Sequence, residues 1–204
     1  LKLTPIAESI MSAVCHYPDL ESTVTTAQEI IQTGIPVARI ELLNADQMEI
    51  SIKYSNLENM EIKPTLFFEF HGSETTNKES IELVNEISNN NNGSAFKWAK
   101  TTEERNKIWK ARHEVYYSVK SLHPNSRIYT TDVCVPISRL AECIMFAERE
   151  IKNYGLQAPI IGHVGDGNFH HTIVYNPNNK DDYKIIREFS NNLIKKTLEL
   201  EGTI

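Results

Sequence analysis

Cysteine is scarce and scattered, with three in the chain, at Cys15, Cys134 and Cys143. No C-x-x-C pair occurs, which excludes a zinc ribbon and a redox dithiol. Cys15 falls in an apolar run and Cys143 on a helical stripe, so both are expected as buried thiols in a reducing compartment. Long apolar runs are missing too: none approaches the ~20 residues that span a bilayer. Positive charge is in deficit, with 21 Lys and Arg against 27 Asp and Glu, a net charge of −6 and a pI near 5.7. Phosphate backbones need a basic surface, so nucleic acid is excluded as a partner. Glycine is sparse and never arranged as G-x-G-x-x-G, G-x-x-x-x-G-K-[ST] or G-x-S-x-G. Neither a dinucleotide-binding turn, a phosphate loop nor a nucleophile elbow is present.

What remains is ordinary globular material, 40% hydrophobic and 24% charged, long enough to bury a substantial core. Strands are expected at 9–17, 37–43, 65–70, 96–99 and 128–135. Helices are expected at 19–33, 45–54, from a Thr76-x-x-Glu79 capping box onward, and at 138–154. A second capping box, Thr101-x-x-Glu104, opens one long helix to about Lys120. Asp181 or Asp182 caps a last helix carrying Ile185, Phe189, Leu193 and Leu200. No Pro/Gly-rich linker divides the chain, so one domain spanning residues 1–204 is expected. Mixed strand and helix order with an antiparallel hairpin favours an α+β fold. A ferredoxin-like plait, single or duplicated, with an antiparallel or mixed sheet and helices on one face, fits the count of about seven strands and six helices. Leu1 is not a methionine, and the chain stops at Glu201-Gly202-Thr203-Ile204, where a new strand is due. The chain is therefore expected to be a piece of a longer protein, truncated at its C-terminal end.

The most informative stretch is Gly162-His163-Val164-Gly165-Asp166-Gly167-Asn168-Phe169-His170-His171, set between the apolar runs 158–161 and 172–175. Asp166-Gly167 is the hairpin signature of a type I′ turn. Such a turn sets His163 opposite His170, with Cβ atoms about 4.5–5.5 Å apart on one face. Strand alternation turns His171 to the other face. Two imidazoles so placed can hold one divalent ion at roughly 2.0–2.1 Å per bond, and a catalytic zinc-type site needs a further protein ligand. Such a pair can equally stack or hydrogen-bond without metal.

Elsewhere, Trp109, Arg112 and Tyr116 are spaced to line one helical stripe. A guanidinium between two aromatics suits an anionic substrate; the alternative is an Arg packed along aromatics or paired with Glu104 or Glu114. Asp132 interrupts an apolar strand, as an exposed edge residue or one recruited to a site. His71 follows an apolar strand and reads as a loop residue.

The hairpin motif from Gly162 to His170 resembles the signature of the C-terminal domain of FAD-linked oxidases, flavoproteins of the vanillyl-alcohol-oxidase type. Trp109-Lys110-Ala111-Arg112-His113, the run Thr131–Leu140, Ala38-Arg39-Ile40-Glu41 and Leu66–Gly72 resemble its D-lactate dehydrogenase (cytochrome) branch. The likeness runs in order over nearly the whole chain. It implies the cap domain of an enzyme that oxidises a small D-2-hydroxy acid, passing a hydride to FAD held mainly by a separate N-terminal domain that is absent here. By that resemblance His163 and His170 coordinate a divalent ion, zinc or manganese. Arg112, Tyr116 and Thr130 contact substrate, and Asn168 contacts the cofactor. The third metal ligand and the catalytic base lie in a motif beyond Ile204, so no catalytic residue is expected within the chain and the chain alone is expected to be inactive. Thr130 and Thr172 stand where some relatives carry Lys and Asn, which favours lactate over a diacid such as 2-hydroxyglutarate, with glycolate a further alternative. An electron acceptor such as cytochrome c or a quinone is implied. So is a mitochondrial location if the source is eukaryotic, and otherwise a cytoplasmic or membrane-peripheral one. Set against the resemblance is a different class of reading, a non-catalytic α+β domain with a structural metal.

Overall fold

Residues 6–204 are described by a computed structural model. Strand β1 (Ser9–His16) is followed by α1 (Leu20–Gln32), β2 (Arg39–Leu43), α2 (Ala45–Ser55), β3 (Thr65–Gly72), α3 (Glu74–Asn90) and β4 (Lys97–Trp98). Helices α4 (Thr102–His113) and α5 (Val115–Leu122) lead on. They are followed by β5 (Arg127–Thr130), β6 (Val133–Cys134), α6 (Leu140–Tyr154), β7 (Ile160–His163), β8 (Asn168–Tyr175) and α7 (Lys180–Glu199).

The strands form one sheet in the order β4-β1-β3-β2-β7-β8-β5, with β6 also on β8 and Thr203 bridging Cys134. Every strand pair is antiparallel. The order β4-β1-β3-β2 is that of a ferredoxin-like plait with α2 inserted between its second and third strands. The second part repeats it: Thr203, β6, β8 and β7 stand in the same relative order, with α6 and α7 as the two crossover helices. The fold is α+β and the plait is duplicated, the two units joined edge to edge where Leu42 pairs with Gly162 and Leu43 with Ile161.

Alternation along the strands builds two cores. Cys15, Leu42, Leu66, Phe68, Phe70, Ile160, Phe169 and Ile173 face one side, under α1, α3, α6 and α7. Val14, Leu43, Phe67 and Ile161 face the other, under Met48 of α2, Ile108 and Trp109 of α4 and Val115 of α5. Each fully buried apolar side chain contributes roughly 1.5–3 kcal/mol, so the larger cluster dominates stability. Cover on one face alone was expected. The three shorter helices add a partial cover on the second face, because that side of the first unit is also apolar. Cys15 and Cys143 are buried, as their apolar settings suggested.

Several boundaries differ from the sequence reading. Helix α3 begins at Glu74, one turn early, because Ser73 caps it by accepting the N–H of Thr76. Asn179, not an aspartate, caps α7, whose inward side chains include Ile186, Phe189 and Leu193. The Thr101–Glu104 capping box is present in full. The helix it opens turns at Glu114 (φ −87, ψ 7), which swings α5 onto α2, where Gln47 donates to Ser118 Oγ. The strand expected at 128–135 breaks at Thr131 and Asp132, yet its register carries through, from Thr130–Thr172 to Val133–Phe169.

Candidate functional site

The turn after β7 is not the expected two-residue reversal. Val164–Asp166 form a 3-10 turn, and only Gly167 takes a positive φ, +77. Glycine is required there, since a Cβ on Gly167 would meet the Val135 carbonyl oxygen at 2.2 Å. The consequence of this turn is a shift in register: His163 pairs with Asn168, and His170 pairs with Ile161. The two histidines are diagonal rather than directly opposed, so they share a face of the sheet. Their ring centroids lie 5.7 Å apart with planes at 84°. His171 points the other way, as alternation required, and is fully buried against Phe169 and Phe189.

Each site imidazole is anchored through Nδ1. His163 Nδ1 lies 2.9 Å from Glu41 Oε1. His170 Nδ1 lies 3.3 Å from the Thr131 carbonyl oxygen and 3.3 Å from Asp132 Oδ1. With Nδ1 donating to oxygen, a neutral ring leaves Nε2 as its free lone pair. Neither Nε2 has a hydrogen-bond partner among the described residues. Burial lowers the His170 pKa, against the opposing pull of Asp132, which favours the neutral ring. Anchored Nδ1 with open Nε2 is the donor chemistry of metal-ligating histidines, and in that respect the pair fits a divalent ion. Among the described residues no group of three His, Cys, Asp or Glu side chains completes a metal site.

Glu41 is the residue that sequence reasoning missed. It projects from β2, 9% exposed, and its Oε2 accepts from Arg112 Nη2 at 2.7 Å while Oε1 takes His163. Burial works against its charge, but the His163 hydrogen bond and the Arg112 cation outweigh that and hold its pKa below the usual range. One carboxylate thus ties β2, α4 and β7 together. Its sequence signal was faint: a charged residue in the Arg39-Ile40-Glu41-Leu42-Leu43 strand, on the same alternating face as Leu43.

Arg112 is 6% exposed, with its Nε buried and unpaired. Its partner is Glu41, not Glu104 or Glu114. Trp109 stacks against Arg39 rather than Arg112, with the guanidinium carbon 5.3 Å from the ring centroid. Tyr116 lies beyond the turn at Glu114, 46% exposed, its ring edge-on to Tyr117. Thr130 pairs with Thr172 on β8, two residues beyond His170 and so on the same face. Asn168 donates both to Asp132 Oδ1 and to the Val133 carbonyl oxygen, each at 2.9 Å. Asp132 is both exposed and drawn to the site. His71 is on β3, where its Nε2 meets Glu69 at 2.8 Å. Arg112, His163, His170, Thr130, Asn168 and Asp132 therefore share one region of one face, while Tyr116 has no hydrogen bond or ring contact with any of them among the described residues.

The site thus lies on the polar, half-open face of a duplicated antiparallel plait, beside its hairpin. The chain belongs to the family of FAD linked oxidases, C-terminal domain, whose model matches residues 6–204. A Danio rerio protein named "Probable D-lactate dehydrogenase, mitochondrial" is 41% identical over all of this chain and 41% of its own length. An Arabidopsis thaliana protein named "D-lactate dehydrogenase [cytochrome], mitochondrial" is 33% identical over all of this chain and 36% of its own length. The chain thus spans well under half the length of these curated relatives. Among solved structures, 4-ethylphenol oxidase from Gulosibacter chungangensis matches with a TM-score of 0.68 at 14% identity, over 100% of this chain and 46% of that one. An alkyldihydroxyacetonephosphate synthase matches with a TM-score of 0.69 at 14% identity, over 98% of this chain and 40% of that one. At that identity the two structures support the fold alone.

Proposed function

We propose that the chain is the substrate-binding cap of an FAD-dependent D-2-hydroxy acid dehydrogenase, oxidising D-lactate to pyruvate together with an N-terminal flavin-binding domain. The observation that carries this is the anchored histidine pair, His163 and His170, set beside a buried guanidinium in a chain of this family.

Bound FAD would accept the hydride, and a zinc or manganese ion on the Nε2 atoms of His163 and His170 would polarise the substrate hydroxyl. The chain's own residues bind and orient. Glu41 and Asp132 hold the two imidazoles so that they cannot rotate away. Arg112 supplies fixed positive charge for the substrate carboxylate, with Thr130 and Tyr116 bordering the acid. Orienting the acid so that its C2–H faces the acceptor is the main catalytic contribution available to such a cap. Asn168, whose amide hydrogens are committed to Asp132 and Val133, offers its Oδ1 to the cofactor. The base that takes the hydroxyl proton and the third metal ligand are proposed to come from beyond Ile204. The relatives' names, with "mitochondrial" in both and "[cytochrome]" in one, support a mitochondrial location and an acceptor such as cytochrome c, with a quinone as the alternative. Glycolate is the alternative substrate, since a Bacillus subtilis relative at 25% identity is named "Glycolate oxidase subunit GlcD".

The test joins this chain to a flavin-binding N-terminal domain and to the segment that follows it, and follows dye reduction. D-lactate and D-2-hydroxybutyrate are expected to turn over faster than D-2-hydroxyglutarate or glycolate. Absence of turnover with every D-2-hydroxy acid would remove the proposal. Calorimetry with zinc and manganese on the same protein and on His163→Ala tests the ion, and equal heats would remove it.

A further inference from the structure

Two guanidinium groups stand on the face that carries His163 and His170, and they differ in what holds them. Arg112 is buried and committed to Glu41. The Arg39 side chain is 47% exposed. Its Nε stands 3.7 Å from Glu69 Oε1, an ion pair beyond hydrogen-bond length. Glu69 is satisfied without it: Oε1 meets His71 Nε2 at 2.8 Å, and Oε2 accepts from Ser12 Oγ at 3.4 Å. Arg39 makes no side-chain hydrogen bond among the described residues. It lies instead over the indole of Trp109, which is fixed by its Nε1 bond to Ser12 Oγ at 3.2 Å. Stacking of this kind restrains a flexible side chain and leaves its forked N–H edges unused.

Its position is set by the strands. Arg39 and Glu41 alternate along β2 and so project to one face. Glu41 grips His163, one ladder step beyond the Leu42–Gly162 pair. Arg39 is then a diagonal neighbour of His163, a spacing of roughly 7–8 Å that long side chains cross. Arg39, Glu41 and His163 also border one cavity of about 90 Å³.

We propose that Arg39 is a carboxylate-binding residue of this site, a stacked guanidinium that receives the acid group of the ligand brought up to His163 and His170. The proposal rests on the function proposed above in taking that ligand to be a 2-hydroxy acid. Arg112, paired with Glu41, holds the His163 anchor and keeps its charge on the same ligand carboxylate from within, so that Arg39 is a second arginine on that group. Arg39 supplies the open, two-pronged contact that a planar carboxylate matches.

The experiment uses the full-length flavoprotein and oxalate, a non-reacting planar diacid, with affinity read by calorimetry. Arg39→Ala is expected to weaken oxalate about tenfold or more, the scale of one lost charge-assisted contact. Arg39→Lys should weaken it less, having charge without the fork. KM for D-lactate should rise in parallel while kcat and the melting temperature hold. Unchanged oxalate affinity in Arg39→Ala, or no oxalate uptake by the unaltered protein, overturns the assignment. If Arg39→Ala does not fold, Arg39→Lys against Arg39→Gln carries the same comparison. Oxalate binding that needs Arg39 in a protein that oxidises no D-2-hydroxy acid would sink the proposed reaction and leave this assignment standing.

Discussion

The two plait units share one topology and differ in what joins their second and third strands. In the first, β2 and β3 are separated by α2, which lays Met48 against Val14, Leu43 and Phe67 and closes that face. In the second, β7 and β8 are joined only by the turn Val164–Gly167, so no helix intervenes to cover the face where His163 and His170 stand. Their side chains are 47% and 24% exposed, against 1% for Phe67 on the same face of β3. The same backbone plan gives a sealed core where a helix is inserted and an accessible site where it is not.

That comparison can be broken or sharpened by mutation. The largest effects should come from the shared core, which runs through both units. Phe68→Ala in the first and Phe169→Ala in the second are each expected to cost about 3–5 kcal/mol. In urea, fluorescence and circular dichroism should give one coincident transition for each variant. Two separated transitions would mean that the units fold independently.

Next comes the carboxylate that links them. Glu41→Ala leaves the buried Arg112 cation without a partner and should cost about 3 kcal/mol by denaturant unfolding. His163→Ala, at a half-exposed position, should stay within about 0.5 kcal/mol. Equal costs would show that the pair is held by something other than Glu41.

The turn should discriminate more finely. Gly167→Ala meets the Val135 carbonyl in addition to an unfavourable φ, and is expected to cost about 2–3 kcal/mol. Gly34→Ala, at φ +72 with open space around it, should cost about 1 kcal/mol. If the two glycines cost the same, close approach at Gly167 is not what fixes the hairpin.

A pH-dependent effect is common to both units. Each buries one histidine in neutral form, His16 in the first and His171 in the second, with Nε2 unpartnered. Burial lowers the pKa from 6.5 to about 4 for His16, with nearby Lys97 adding to the effect, and to about 3 for His171. The unfolded chain therefore takes up these protons first. Stability should fall as pH drops below about 6.5 and keep falling toward pH 4, by up to roughly 1.4 kcal/mol per histidine per pH unit. Urea midpoints between pH 7.5 and 4.5 measure the slope, and His171→Leu should flatten it by about half. An unchanged slope in that variant would place the acid sensitivity elsewhere.

Much of this was legible in the chain itself. Period-two alternation was enough to set His170 and His171 on opposite faces, and a two-residue shift from the expected register leaves His163 on the face of His170. Capping and helical stripes located α1, α4 and α6, and the order of elements pointed to a plait. These are local properties, fixed by the geometry of a strand or a helix turn. Only the tertiary structure decided that His163 pairs with Asn168, since a turn's length depends on what crowds it, here Val135. It alone brought Glu41 to Arg112 and His163, residues 71 and 122 positions away, and laid Arg39 over Trp109. Those pairings rest on the register between strands and on the helix that crosses them, and no periodicity in one segment specifies its distant partner.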